Sequence, residues 1–555
     1  MTWREAARLS DVAYTELALQ AIYAVRQGNV APSGPVRTVA ARARRRVLQS
    51  KVIISVVLGV IALGGAYLVR IIARHPTIAS VSAPPGVLEA GILTGLLSLE
   101  VAFLWWTGMQ VLPTFLASGV LPVLEALPIE ERTLNRATGL LYLRLFDVPA
   151  LTVLLATPIG LGFTIGPLAG VAIVPGVVCV VAFSLGLALL TGRFFVRRVQ
   201  GSRGGGGRTI VRWAYLVLWL APPFAMFALV IAAPAFFGVL GSAAASGPSW
   251  TSHLLLVTFP YPLAALPALA ASGPVGFGMD TTGWVLLGAG VAGYVGVAAW
   301  SIAWMMVRVR TVGFVPPGSR ATTARFSPWN LRPQAPTLAV LTKDLRIASR
   351  TPGFAFLILL PLLDSVAIGL LTFVAAPGSA VAFSLALAAV TTAALLATFF
   401  GPAFFAIEVF AYSAGRTLPL SDRALVSGKV LLIAAMYLTA GGTVLGITLA
   451  RVFDPLLFVA FILAELPAVA AAALFELGLV FRRARAKGLP ITNLYAGAWI
   501  AFFVSVPGVI VAAAPLVTFH LASANGAYRG LLAMLVVALL ELAVAAPLVL
   551  GRRGP

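Results

Sequence analysis

The chain has 555 residues, of which 60% are hydrophobic and only 10% are charged, and its mean hydropathy is +0.99. Soluble proteins carry roughly 25% charged residues, so this chain has too little polar surface to cover a water-soluble core. The formal net charge of +21 would suit a nucleic acid. The basic residues are divided among seven short segments, however, which argues against a nucleic-acid partner.

The first fifty residues are not expected to form a signal peptide, because a short apolar core and a cleavage site are both missing. Trp3, Leu9 and Tyr14 fall among polar residues, which predicts an amphipathic helix at the membrane surface. A crossing helix needs about 20 mostly apolar residues. On this criterion twelve spans are predicted, near residues 52–70, 87–108, 139–160, 167–191, 212–240, 283–306, 353–374, 380–407, 430–450, 456–480, 491–518 and 530–550. The predicted fold is therefore an all-α polytopic membrane protein.

Between the fifth and sixth spans lies segment 241–281, which has no lysine or arginine. Its apolar run 254–270 is interrupted by Pro260, Pro262 and Pro267. A run broken in this way predicts a re-entrant or interfacial hairpin rather than a further span.

Lysine and arginine orient these spans, because they accumulate on the cytoplasmic side of membrane proteins. In the twelve-span arrangement, 34 of the 39 basic residues fall on one side. The opposite side has only Arg70, Arg74, Arg451 and Arg529. Both termini are therefore expected in the cytoplasm of a cell-membrane protein, with the basic side facing anionic lipid and a cytoplasmic partner.

The chain repeats itself. Segment 127–134 (LPIEERTL) is similar to segment 418–425 (LPLSDRAL), and each follows the second span of its half. The pairs Arg197-Arg198 and Arg482-Arg483 follow the fourth and tenth spans. Two six-span repeats of the same orientation are therefore predicted. The corresponding boundaries are 1–306 for the first half, 307–352 for a linker and connecting helix, and 353–555 for the second half.

Enzyme signatures are absent from the sequence. It contains no phosphate-binding loop, no zinc-protease helix motif and no nucleophile elbow. Cys179 is the only cysteine, and the three histidines lack metal-ligand spacing, so no catalytic residue and no metal site are predicted. No cofactor is expected on this chain, and ATP hydrolysis would have to occur on a separate subunit.

The two repeated loops can be interpreted in two ways. Each presents Leu-Pro, an acidic residue and an arginine at the start of a helix, where Pro and acids are favourable. One interpretation is a solvated turn with a good helix cap. The other is a helix that docks into a groove of a partner, and two copies in equivalent places favour it.

The second half resembles the ABC type-2 permeases. The similarity lies in segment 341–352 (LTKDLRIASRTP), in Leu359-Leu360-Pro361-Leu362-Leu363, and in Glu408 with segment 415–429 (GRTLPLSDRALVSGK). The first half departs from the pattern, with Ala137-Thr138 in place of Gly-Lys and Ala117 near the place of Glu408. The resemblance implies a connecting helix along the membrane and loops that dock on a nucleotide-binding subunit. The implied docking residues are Glu130, Glu131, Arg132, Asp422, Arg423 and Lys429, and the connecting-helix residues are Lys343, Asp344, Arg346 and Arg350.

Ionisable residues within predicted spans usually face the bundle interior or water, because charge in hydrocarbon is costly. Two roles are considered for these residues: they could bind a substrate or an ion, or they could form structural pairs with other groups in the bundle. Arg144 and Asp147, three residues apart, are expected to pair. The intramembrane acids of interest are Glu100, Asp364, Glu465 and Glu541.

The sequence as a whole predicts the membrane-spanning subunit of an ABC transporter, expected to be an exporter. Two copies of an ATP-binding subunit would power it. One alternative is a secondary transporter driven by an ion gradient, which would use the intramembrane acids. A polytopic membrane enzyme is a further alternative, disfavoured by the lack of large polar loops. The substrate is not encoded in any recognisable motif.

Overall fold

A computed structural model of the chain describes most of its residues. The described ranges are 3–25, 36–74, 85–117, 120–194, 211–218, 253–313 (apart from 255, 274–276 and 278), 335–349, 352–401 (apart from 371 and 373–377), 421–450, 454–486 and 498–550. The regular secondary structure of these ranges is helical, as the composition predicts. Most of the predicted fifth span, 212–240, lies outside them.

The helices, numbered in chain order, are α1 (Trp3–Val25), α2 (Val36–Arg74), α3 (Pro85–Ala117), α4 (Val120–Glu125), α5 (Glu131–Leu145), α6 (Asp147–Thr164), α7 (Pro167–Ala172), α8 (Val174–Phe194), α9 (Tyr261–Ser272), α10 (Thr281–Gly313), α11 (Pro336–Ala348), α12 (Pro352–Leu370), α13 (Ala380–Phe399), α14 (Asp422–Thr448), α15 (Pro455–Ala486), α16 (Ala498–Ser523) and α17 (Ala527–Leu550). Within the described ranges, ten helices are long and apolar enough to cross a membrane. Shorter apolar stretches lie at Tyr261–Ser272 and Leu357–Leu370.

Large apolar side chains on the outer faces of these helices are exposed. Phe163 is 84% exposed, and Leu168 and Leu456 are similarly open. A soluble protein would not expose apolar patches of this extent, whereas lipid is a suitable solvent for them. The exposed faces therefore agree with a membrane-embedded bundle.

The predicted third span, 139–160, is not one continuous helix. Helix α5 ends at Leu145 and α6 begins at Asp147, with Phe146 between them at φ −115° and ψ 7°. Pro149 explains the break, because it has no backbone N–H to donate to the carbonyl of Leu145 and its ring would clash there. The N-terminal part of the predicted span, in α5, is therefore a separate helix from the part in α6.

The chain divides into two compact units. The first comprises Met1–Ile22, Pro32–Gly201 and Pro222–Thr322, and the second comprises Tyr23–Ala31, Ser202–Ala221 and Thr323–Pro555. The division after Thr322 falls inside the predicted linker 307–352, and the predicted connecting helix, α11, belongs to the second unit.

In the first unit, α2 packs against α6, and α3 against α8. Buried leucine, alanine and valine side chains form its core, including Leu58, Leu97 and Val177. The proline-interrupted segment predicted as a hairpin forms the short helix α9, which is buried against α3 and α7.

In the second unit, α15 packs along α17, α16 and α14. The core contains the aromatic side chains Tyr437, Phe458 and Phe461 and an alanine-rich face of α13. Small residues allow helix backbones to approach closely, which is the usual means of packing where lipid replaces water.

Candidate functional site

A buried ion pair joins α11 to α14 in the second unit. The Nζ atom of Lys429 lies 2.7 Å from Oδ2 of Asp344, and neither side chain is exposed to solvent. Lys343 is also near, with its Nζ atom 3.6 Å from Oδ1 of Asp344. Both helices therefore place a charge in an interior where neither charge is stable without the other.

Gly428 explains how the two helices come close enough for this pair. A Cβ atom at Gly428 would lie 2.7 Å from Cβ of Val340 and 3.0 Å from the carbonyl oxygen of Thr337. Only a residue without a side chain permits this approach of α14 to α11. The Gly-Lys dipeptide thus has two linked roles, because the glycine allows the contact and the lysine neutralises the acid.

Helix α14 begins at the predicted docking loop. The hydroxyl of Ser421 accepts a hydrogen bond from the backbone N–H of Ala424 at 3.2 Å, which is a standard N-cap. Arg423, in the first turn, is exposed. Asp422 opens the helix, but its side chain and residues 416–420 lie outside the description, as does Arg350.

Lys429 was predicted to lie on a docking surface and Asp344 on a helix along the membrane surface. Both predictions are wrong for these side chains, because the two contact each other inside the protein. Arg346 of the same connecting helix is exposed, and Lys343 is partly buried. Among the residues described at this end of the second half, Arg423 and Arg346 are exposed, whereas Lys429 has an internal role.

The corresponding loop of the first half is held differently. Glu130, Glu131 and Arg132 are exposed at the start of α5. Arg310, at the end of α10, lies 2.6 Å from Glu125 and 3.2 Å from Glu131. Thr138 occupies the place of Lys429, and its hydroxyl donates to the carbonyl oxygen of Leu134 within its own helix. The first loop is therefore bound by a partly buried arginine, Arg310, instead of a fully buried ion pair.

Helix α1 packs against the same end of the first half. Asp11 lies 2.9 Å from Arg44 of α2 and 2.8 Å from Arg144 of α5. The hydrogen bond from Arg44, with the charge of Arg144, holds the pKa of Asp11 below its ordinary value. The ring of Tyr14 lies under Lys51 at 4.7 Å.

These contacts correct the expected pairing of Arg144 with Asp147. Lys51 lies 2.7 Å from Asp147, and Arg144 pairs with Asp11 instead. The break at Phe146 places Arg144 and Asp147 on separate helices, so the three-residue spacing of a single helix no longer brings them together.

Buried carboxyl groups lie within both units. The hydroxyl of Thr157 donates to Oε1 of Glu100 at 2.5 Å. Both oxygens of Glu465 and Oε2 of Glu541 have no hydrogen-bond partner within the described ranges. Asp364 is half-buried, and its Oδ2 likewise has no partner there.

Glu476 is a buried acid that the sequence reasoning missed. It is fully buried, and neither of its oxygens has a hydrogen-bond partner among described residues. A Cβ atom at Gly508 would lie 1.8 Å from its Oε1, so α16 approaches this carboxyl group directly with its backbone. The sequence feature that could have identified Glu476 is its position within the apolar run 456–480, near the end of that run.

Most of the chain matches a known family of membrane proteins. Residues 78–550 match a family model described as "Membrane protein of 12 TMs". The chain belongs to this family. Membership establishes a multi-pass integral membrane protein of the twelve-span type, which agrees with the helical fold and its apolar spans. No curated protein and no solved structure matches the chain.

Proposed function

We propose that this twelve-span protein is the membrane-spanning subunit of an ABC transporter that works as an exporter. Two copies of a separate ATP-binding subunit would dock on loops 125–138 and 416–429, at the cytoplasmic face of a cell membrane. The family assignment supports a multi-pass membrane protein. The finer assignment is supported by the sequence resemblance and by the contacts of α11 and α14.

The observation that carries the proposal is the buried Asp344–Lys429 pair. Arg423 is exposed six residues before Lys429 on the same helix, or about 9 Å along its axis. A partner that pushes on the exposed start of α14 would therefore also move α11, because separating the buried charges is unfavourable. Such a linkage would transmit closure of an ATPase pair to the membrane helices.

The first half is expected to engage its ATPase less tightly. It lacks the buried pair, since Thr138 replaces Lys429. Its loop is also fixed by Arg310 and lies beside α1. We propose that the exposed acids Glu130 and Glu131 supply its docking contacts, and that these contacts are weaker than those of the second half.

The test is a charge reversal at the second loop, Asp422→Lys with Arg423→Glu, in the full chain. Like charges at an interface can cost several kcal/mol, so ATPase association and transport should both be lost. Membrane insertion and yield should stay normal, because Arg423 is exposed and substitutions at a protein surface usually change stability by about 0.5 kcal/mol or less.

The matched control is the equivalent swap Glu131→Arg with Arg132→Glu in the first loop. We expect a milder loss of the ATPase subunit from the co-purified complex. Retention of a full complement of ATPase by both double variants would refute the docking proposal.

The proposed orientation has an independent test. After Cys179→Ser, a single cysteine at Ser246 should react with an impermeant thiol reagent in sealed cells. A cysteine at Ser202 or Ser327 should stay protected. Labelling at Ser327 from outside would reverse the assignment of the basic side.

A second candidate function is ion-coupled secondary transport. The buried carboxyl groups of Glu465 and Glu476, which have no hydrogen-bond partner within the described ranges, favour it. Under this alternative, transport would continue without any ATPase subunit and would stop when the ion gradient is collapsed. Transport that ceases only when ATP is depleted would exclude it.

A further inference from the structure

The carboxyl group of Glu476 lies against two glycines inside the second unit. Glu476, on α15, is fully buried, and neither of its oxygens has a hydrogen-bond partner among described residues. A Cβ atom at Gly508 of α16 would overlap the Cδ and Oε1 atoms of this carboxyl group. A Cβ atom at Gly401, just after the end of α13, would lie 2.8 Å from Oε2. The carboxyl group therefore fits here because both contacting residues lack a side chain.

The described surroundings of this carboxyl group are mainly apolar. A Cβ atom at Gly401 would also lie 3.0 Å from Cδ1 of Ile433 on α14. The residues near Glu476 on α15 belong to a buried apolar cluster that also includes residues of α14 and α17. Its buried members are Val426, Ala471, Leu474, Leu477 and Ala545. An ionised carboxylate without a partner is strongly unfavourable in such surroundings, so a buried acid is usually neutralised.

The helices that pack against α15 are α13, α14, α16 and α17, and no contact between described residues joins Glu476 to one of their positive charges. Helix α13 has no titratable residue. His520 of α16 lies twelve residues after Gly508, or about 18 Å along the helix. Lys429 of α14 is paired with Asp344. The other basic residues described on α14 and α17 are exposed, namely Arg423 and Arg529.

The remaining charged residues near this part of the bundle do not change that conclusion. Glu541 of α17 and Glu465 of α15 are acids, so neither can neutralise a carboxylate. Helix α15 ends with three arginines whose side chains lie outside the description, Arg482, Arg483 and Arg485. Within the described ranges, neutralisation of Glu476 therefore requires a bound cation or a proton.

Helix α16 offers an acceptor for a proton at this place. Pro507, next to Gly508, has no backbone N–H, so the carbonyl oxygen of Phe503 lacks its usual helical donor. A protonated carboxyl group needs only one such acceptor, whereas hard metal cations take several oxygen ligands. Because the described side chains around Glu476 are apolar, a proton is the ligand that fits.

We propose that Glu476 is a proton-binding site, which holds a proton while α15 packs against α16 and releases it to water when the two helices separate. Only the O–H bond of the acid breaks, the proton passes to water, and no other bond changes. The carboxylate left behind is stable only where water reaches it. Proton binding and packing of the two helices therefore favour each other, because a coupling between two equilibria is reciprocal.

The proposed site does not depend on an ATPase subunit. A failed docking experiment would leave it intact, and its own failure would leave the docking proposal intact. Its failure would, however, remove Glu476 from the observations that favour ion-coupled transport.

The first test is infrared spectroscopy of the purified full chain at neutral pH, in a detergent without ester groups. A protonated carboxyl group has a C=O stretching band at higher frequency than the bands of a carboxylate. The spectrum of the unmodified protein minus that of Glu476→Gln should contain one such band. Glu130→Gln is the matched control, since it removes a carboxyl group that is exposed to water, and its difference spectrum should lack the band.

Thermal unfolding gives a second readout, which a merely structural role would not change. Unfolding exposes Glu476 to water and releases its proton, so the unmodified protein should become less stable as the pH rises. Glu476→Gln has no proton to release. Its unfolding temperature should therefore fall less between mildly acidic and mildly alkaline buffer.

The glycine contact is tested by Gly508→Ala, whose added methyl group would overlap the carboxyl group. We expect this variant to lose the protonated band, because the carboxyl group is displaced. Gly442→Ala is the matched control, since its Cβ would have no neighbouring heavy atom within 4 Å, and it should keep the band. If Gly508→Ala is unstable, Glu476→Ala in the same chain should restore its unfolding temperature by removing the overlapped atoms.

Four results would overturn the proposal. A difference spectrum of Glu476→Gln without the band would show that the acid is ionised. Loss of the band on addition of sodium at constant pH would assign the site to a metal cation. Equal pH dependence of unfolding in the unmodified protein and Glu476→Gln would show that no proton is released. Failure of both Glu476→Gln and Glu476→Leu to fold would show that the negative charge itself is required.

Discussion

The buried Asp344–Lys429 pair gives the sharpest test of the fold. Removing one partner of a buried pair leaves an uncompensated charge and costs about 3–5 kcal/mol, which is roughly two to nearly four powers of ten in the folding equilibrium. We therefore expect Asp344→Leu to lower the apparent unfolding temperature and the yield of folded protein sharply.

The two single variants should differ in degree. Lys343 lies 3.6 Å from Asp344 and is partly accessible, so it can partly compensate the acid in Lys429→Met. In Asp344→Leu the fully buried Lys429 has lost its acid, so this variant should be the less stable. The double variant Asp344→Leu with Lys429→Met should recover most of the stability, because replacing a buried pair by apolar residues is often neutral or stabilising.

The assay is thermal unfolding in detergent, followed by size-exclusion chromatography of the intact chain. Arg346→Met is the matched control, since it removes an exposed charge from the same helix, and it should change stability by about 0.5 kcal/mol or less. If the double variant is as unstable as the sum of the single variants, then the two charges are not coupled and the pair does not hold α11 to α14.

Two further predictions concern helix contacts, one within each compact unit. Gly428→Ala should destabilise the second half, because its Cβ would lie 2.7 Å from that of Val340, and Val340→Ala should not rescue it fully since the same Cβ remains. Unfolding temperatures of the single and double variants measure this, and an unchanged Gly428→Ala would contradict the close contact. The depressed pKa of Asp11 means that its stabilising contact is complete above the ordinary pKa and is lost as the pH falls through the lowered value. Proteolysis of α1 should therefore accelerate in acid, whereas Asp11→Asn should show fast cleavage at every pH. Equal cleavage of both proteins at neutral pH would show that Asp11 does not hold α1.

The intramembrane acids could be partly foreseen from the sequence. Glu100, Glu465 and Glu541 were identifiable because each interrupts a long apolar run. Their partners were not identifiable, since Glu100 and Thr157 are 57 residues apart and belong to different helices. Glu476 was missed because it lies close to the predicted end of its span, where an acid is usually exposed.

The sequence by itself determined the helical class and the approximate position of most spans. Both depend on the hydrophobicity of each segment's own residues, so they can be predicted without knowing the rest of the chain. It also indicated the proline-interrupted segment that forms α9. The tertiary structure alone decided that Lys429, predicted on a docking surface, is buried against Asp344, 85 residues away in the chain. Such a pairing depends on the crossing of two helices at Gly428, and no local pattern encodes which distant residue will occupy that crossing.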